Sequence, residues 1–167
     1  YRKAAGAGQL NAIMDLAPML EEGKGVEKDA VEAAAQYRAA ADKGYAPAMC
    51  KLGHMYAEGR GVEKDMAEAI RLLRLAADGQ HVHAMVTLAG MYENGKGVPQ
   101  DLAEAANWIR RVANKGDPAW MVALGVRYYA GHGVEKNDQE AFKWFRNAAQ
   151  GGNAAGMNNL ADCYEKG

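Results

Sequence analysis

Six side chains in this 167-residue chain carry the ligand atoms that transition metals prefer: Cys50, His54, His81, His83, His132 and Cys163. The same types serve as nucleophile and base in covalent catalysis. Their spacing argues against both uses. His81-X-His83 places two rings on different faces of any helix. Cys50 has His54 one turn away but holds an ordinary, variable position, and His54 and His132 fall in different columns of the repeat described below. No Glu or Cys completes a ligand set at a recognised spacing, so no metal (zinc included) and no cofactor is expected. The chain contains no serine, which excludes a serine nucleophile. No catalytic residue is assigned, and the chain reads as non-enzymatic.

Two further patterns could be mistaken for chemistry. Gly-X-Gly-Val occurs four times, at Gly23, Gly59, Gly95 and Gly131, in steps of 36 residues. A phosphate loop needs a Lys-Ser/Thr pair after the glycines and a strand before them, and neither is present. Asp29-X-X-Glu32, Asp65-X-X-Glu68, Asp101-X-X-Glu104 and Asn137-X-X-Glu140 pair acidic groups at acid/base-like spacing. Four copies in register point instead to a capping box, in which the Asp or Asn accepts from orphan amides and the Glu reaches back to the cap.

A period of 36 residues defines a solenoid, in which each unit packs on its neighbours. One column is Leu16, Leu52, Leu88, Leu124 and Leu160; another, four positions later, is Tyr56, Tyr92, Tyr128 and Tyr164. Ala17, Gly53, Ala89, Gly125 and Ala161 follow the leucines and let a neighbouring helix approach closely. This is the apolar stripe of a helix A, about 46–58 in the second unit. A glycine past its last periodic residue caps it in the left-handed conformation. Helix B, about 66–78, follows the capping box. Its inner face carries Ala33, Ala69, Ala105 and Ala141, then Tyr37, Leu73, Ile109 and Phe145. Arg2, Arg38, Arg74, Arg110 and Arg146 run beside that face. They are read as pairing with carboxylates or carbonyls of the adjoining turn, an extended anionic partner being the other reading.

Four complete units occupy 9–44, 45–80, 81–116 and 117–152 of a single array. Residues 1–8 match the end of a preceding helix B, and 153–167 the helix A of a partial unit. Both ends cut through a unit, which is the pattern of a longer array or its ordered part, and leaves end-to-end self-association open through the truncated terminal repeats. Departures are Pro18, expected to remove a hydrogen bond and kink the first helix, Pro99 for Glu, Asn137 for the cap Asp, and Asp78-Gly79-Gln80, which shifts a terminal glycine.

Charge is balanced, with 20 Lys and Arg against 21 Asp and Glu. That removes the basic excess of a nucleic-acid binder. No apolar run reaches the ~18 residues of a membrane span, so no direct membrane insertion is expected. Cys50 and Cys163 lie three repeats apart, beyond the ~7 Å Cα reach of a disulfide. Both are expected to be free, mostly buried thiols. Compartment is not assigned.

Ala48, Leu52, Gly53, Tyr56, Gly59, Gly61, Val62, Asp65, Ala69, Ala76 and Ala77, with their counterparts along essentially the whole chain, resemble the Sel1-like repeat. That family is an α/α solenoid related to the tetratricopeptide repeat. The resemblance implies an all-α, right-handed superhelical solenoid of helix-turn-helix repeats, with helix A faces lining a concave surface. It also implies an adaptor role, in bacterial signalling and virulence or in eukaryotic endoplasmic-reticulum quality control. One branch carries a disulfide in every repeat, and two lone cysteines place this chain outside it.

With the invariant columns assigned to the fold, the variable helix A columns are candidate partner-binding positions. They run Asp15, Lys51, Thr87, Ala123 and Asn159; Pro18, His54, Gly90, Val126 and Asp162; and Met19, Met55, Met91, Arg127 and Cys163. Lys51, His54, Met55, Thr87, Met91, Arg127 and Asn159 are singled out, with Met55, Met91 and Arg127 at the centre of the expected groove. Trp120 joins them as the one large ring in a column of Ala48, Ala84 and Gly156, either repacked against Tyr129 or Trp144 or anchoring a partner. The expected function is a scaffold binding a protein or peptide segment on the concave helix A surface. The alternative is a bacterial envelope or signalling regulator that binds cell-wall glycan or another small ligand.

Overall fold

The computed structural model describes residues 10–165. Arg2, Gly167 and the expected helix end at 1–8 lie outside them. The chain divides into two compact units, Tyr1–Ala84 and Met85–Gly167. The first holds α1 (Leu10–Glu22), α2 (Ala30–Ala41), α3 (Ala46–Glu58), α4 (Met66–Asp78) and the opening residues of α5 (Val82–Asn94). The second holds the rest of α5, then α6 (Leu102–Ala113), α7 (Pro118–Ala130), α8 (Asp138–Gln150) and α9 (Ala154–Glu165). No strand occurs among the described residues. Helices A and B of the second repeat fall where their apolar periodicity places them, at α3 and α4. The first helix A stays helical through Pro18.

Each turn from helix A to helix B is closed at both ends. Gly59 and Gly131 cap α3 and α7 at φ 74° and 71°, and their amides donate to Met55 O and Arg127 O. At the other end, Asp29, Asp65, Asp101 and Asn137 accept from the amides of Glu32, Glu68, Glu104 and Glu140 at 2.9–3.0 Å. The reciprocal half of the expected capping box is replaced by a different bond. The cap amides donate to main-chain carbonyls of the preceding helix A: Asp29 to Leu20, Asp65 to Tyr56, Asp101 to Tyr92 and Asn137 to Tyr128, at 2.9–3.0 Å. Glu68 and Glu140, relieved of that duty, pair with Arg71 and Lys143.

The core is built by matching size across the helix pair. In the first unit Ile13, Leu16, Leu20, Tyr37, Leu52 and Met55 are enclosed by alanines of α1, α2 and α3. A Cβ on Gly53 would stand 3.1 Å from Leu73 Cγ, and one on Gly125 only 2.6 Å from the Phe145 ring. The small column of helix A therefore seats the large column of helix B. The second glycine of the turn has a separate role at Gly61 and Gly133. A Cβ on Gly61 would lie 2.0 Å from Ala30 O, and one on Gly133 2.0 Å from Leu102 O. These glycines let the turn of one repeat rest on the backbone that starts helix B of the repeat before.

Two members of the arginine column, Arg38 and Arg110, find tyrosines rather than the expected carboxylates, and Arg146 lies over the Phe142 ring. Arg38 donates to the Tyr56 hydroxyl, and Arg110 to the Tyr128 hydroxyl at 2.9 Å. Each guanidinium lies 5.7–5.8 Å from the same ring's centre, close enough for a cation–π attraction. Each arginine thus ties helix B of one repeat to helix A of the next.

At the end of α4 the shifted glycine has a backbone consequence. Gly44, Gly116 and Gly152 take positive φ after their helices, whereas here Gln80 does so at 65°, with Gly79 at −72°. Gln80→Gly should raise stability by up to about 1 kcal/mol, because the left-handed penalty exceeds the added chain entropy; chemical denaturation measures it. Gly131→Ala should cost about 1–2 kcal/mol from the same penalty. Gly133→Ala must lose more, since its methyl also meets Leu102 O, and equal losses for the two would refute the packing role of the second glycine.

Candidate functional site

The eight candidate positions separate by environment. Lys51 is exposed on α3, and His54, Thr87, Trp120 and Asn159 are half-buried. Met55 and Met91 are not available to a partner: they are 1% and 6% exposed and belong to the core. Met55 lies three residues past Leu52 and one before Tyr56, so it shares the inward stripe. The i+3 step places Met91 in the same way after Leu88. Arg127, in the same column, is also turned inward. Its side chain is 13% exposed, and Nη2 donates to Glu93 at 2.5 Å while the buried Nε has no acceptor. Trp120 is neither enclosed like Ala48 and Ala84 nor fully displayed.

On the first unit, Cys50 and His54 project from α3 toward His83 of α5, and their ligand atoms all lie within 4.8 Å of one another. The His54 and His83 rings are 5.5 Å apart and tilted by 47°, with His81 6.5 Å beyond His83. Spacing along the chain missed this grouping, because its third member comes from the next repeat. The usable signal was the column position of His83, at the start of the adjacent helix A. Burial pushes the Cys50 thiol up to about 11, with Lys51 opposing. Burial also holds His54 below the ordinary imidazole range, and the neighbouring His83 adds to the effect. His81 is lowered by the same two causes in the same order. Neither Cys50 nor Cys163 is in a disulfide.

The second unit carries a cleft of about 680 Å³ between α7, α8 and α9. Val126, Asn159, Asp162 and Cys163 line it, all members of the variable helix A columns. Val126 and Tyr129 are 46% and 42% exposed at its edge. Phe142 and Arg146 of α8 form part of its wall. Lys136 Nζ stands over the Tyr129 ring at 5.7 Å from its centre. The cleft therefore combines apolar surface with both signs of charge.

Paired helices in a fixed repeat, capped alike and packed small against large, define an α/α repeat protein. The Sel1 repeat pattern matches residues 10–45, 46–81, 82–117, 120–153 and 154–167, and the chain belongs to the Sel1 repeat family. Proteins of this family generally mediate protein–protein interactions and are typically non-enzymatic scaffolds. The chain is similar to c5321, a protective antigen of uropathogenic Escherichia coli, at 36% identity and a TM-score of 0.80 over 98% of this chain and 35% of that one. It is similar to a Sel1 repeat protein of Oxalobacter formigenes at 33% identity and 0.78, over 93% of this chain and 64% of that one. Cysteine-rich protein B of Helicobacter pylori gives 28% and 0.52, over 68% and 88%. The chain thus spans about a third of the first relative's length and just under two thirds of the second's. No curated protein sequence matches it. Among the described residues no helix is long and apolar enough to cross a membrane.

The lowered imidazoles set a pH dependence. Below the unfolded value of about 6.5, the unfolded chain takes up protons that folded His54 and His81 resist. Their contribution is therefore complete above that value and drains as pH falls toward the folded pKa values. The melting temperature should drop between pH ~7.5 and ~5.5, to either side of the ordinary imidazole value. His54→Gln should flatten that drop, and an unchanged slope would remove His54 from the account.

Proposed function

We propose that the chain is a non-enzymatic interaction scaffold that binds a protein or peptide segment on its helix A face, with the cleft of α7, α8 and α9 as a docking site. The convergence of Val126, Asn159, Asp162 and Cys163 in that cleft carries the reading. The columns of Val126, Asn159 and Asp162 vary from repeat to repeat, whereas the leucine and small-residue columns that hold the helices together do not. Half-exposed Val126 and Tyr129 offer apolar contact, and Asp162, Lys136 and Arg146 supply polar positions at its border, the composition of a protein-binding surface. Lys51, His54 and Thr87 are further variable positions on the helix A faces of α3 and α5. Family membership supports a protein partner.

A second reading, binding of a cell-wall glycan by an envelope or signalling regulator, draws on the exposed Tyr129, since sugars stack on aromatic faces. The position of Lys136 over that ring ranks it below a protein partner.

Capture from a lysate with the intact chain, followed by mass spectrometry, identifies the partner. Its affinity is then measured for the Val126→Asp/Asn159→Ala variant and for Arg71→Ala, an exposed change on α4. A weakening of at least roughly tenfold, confined to the cleft variant, is expected for loss of an apolar anchor. Equal affinity for all three proteins would place the interface elsewhere. Binding of muropeptides by the intact chain would favour the second reading instead.

A further inference from the structure

We infer that Cys50, His54 and His83 form a binding site for a borderline-to-soft d¹⁰ cation, zinc(II) in the first instance, bridging two successive helix A elements of the first unit. Three of the chain's six cysteine and histidine residues converge on one point, with ligand atoms within 4.8 Å of one another. One thiolate and two imidazoles are the donors that zinc combines in its tetrahedral sites. Bond lengths of about 2.0–2.3 Å to such donors require ligand-to-ligand separations of about 3.3–3.6 Å. The remaining contraction of ~1 Å is within reach of side-chain rotation alone, because imidazole orientation is set by soft torsions.

The columns show that the grouping is local to this junction. The position of Cys50 is Met14, Val86, Val122 and Asn158 in the other repeats. That of His54 is Pro18, Gly90, Val126 and Asp162, and that of His83 is Asn11, Pro47, Ala119 and Ala155. None of these sets could hold such a cation, and neither helix packing nor the turns call for a ligand at any of the three positions. The donors also differ in accessibility in a useful order. Cys50 is buried, His54 half-buried and His83 exposed. A cation entering from solvent would meet His83 first and the thiol last, with its fourth position left to water. His81, beyond His83, adds a second imidazole at the entrance.

The site belongs to the fold of the first unit and is separate from the cleft proposed for protein docking. Its test uses the full untagged chain, because a histidine tag would supply competing ligands. Cobalt(II) serves as the spectroscopic probe. One equivalent should give thiolate-to-cobalt charge transfer in the near ultraviolet and the intense ligand-field bands of a tetrahedral site, and zinc should abolish both. Cys50→Ala should remove the charge-transfer band. His83→Ala changes an exposed residue to the one found at 119 and 155, so it should fold normally. It should weaken zinc binding, measured by chromophoric-chelator competition, by more than the roughly 10–100-fold that follows loss of a supporting residue. Zinc should raise the melting temperature of the parent chain and not that of His83→Ala. Weak octahedral cobalt spectra, half an equivalent bound per chain, or affinity unchanged in His83→Ala would each overturn the assignment.

Discussion

The amide of one capping residue, bonded back to the carbonyl nine residues before it, governs this structure. Asp29, Asp65, Asp101 and Asn137 each act in two directions. The side chain satisfies an orphan amide of the helix it starts, while the main-chain N–H closes onto the helix just left. A turn held at both ends by a single residue has little room to lengthen. Two left-handed glycines carry the chain between those points, and at Gly61 and Gly133 the second also rests against the backbone of the previous repeat. The constant period of 36 residues follows from these fixed spans together with helices of 12 or 13 residues, since one residue more would turn every later side chain by about 100° off its packing face.

Around that frame the packing is conservative in chemistry and exact in volume. No polar or charged side chain is buried among the described residues. Alanines bring the helices together, and a few large residues fill what remains. Polar links between repeats sit at the border of the core, where Arg38 and Arg110 grip tyrosine hydroxyls and Arg127 reaches Glu93. Such contacts are neither fully solvated nor fully enclosed, so they can orient neighbouring elements without a large desolvation cost.

Much of the fold was legible because a 36-residue echo averages away the ambiguity of any one segment. Helix limits, left-handed glycines and caps all recur, and each copy corroborates the others. The binding surface was harder to read because it lies in the columns that do not recur. Met55 and Met91 fall in a column that looks like display positions, but the i+3 step from Leu52 and Leu88 turns them inward. A column that alternates Met and Arg looks variable, and flexible side chains allow both to be accommodated at one inward position. The partners of Arg38 and Arg110 were missed because a tyrosine already used by the apolar stripe can still offer its hydroxyl. The grouping of His83 with Cys50 and His54 is hidden from local sequence spacing for a geometric reason. Ligands contributed by consecutive repeats are neighbours in space and distant along the chain, so a search by local spacing passes over them.

The facing of Gly53 by Leu73 and of Gly125 by Phe145 has a consequence for how such a chain assembles. Repeats so alike in sequence invite a helix A to settle on the wrong helix B during folding. The Phe145 ring needs the glycine at 125, where a methyl would stand 2.6 Å from it, whereas Tyr37 in the same helix B column is enclosed in the repeat that carries Ala17. Differences of a methyl or a ring thus act as addresses, letting each helix recognise its own neighbour among near copies and guarding the order of the array while it forms.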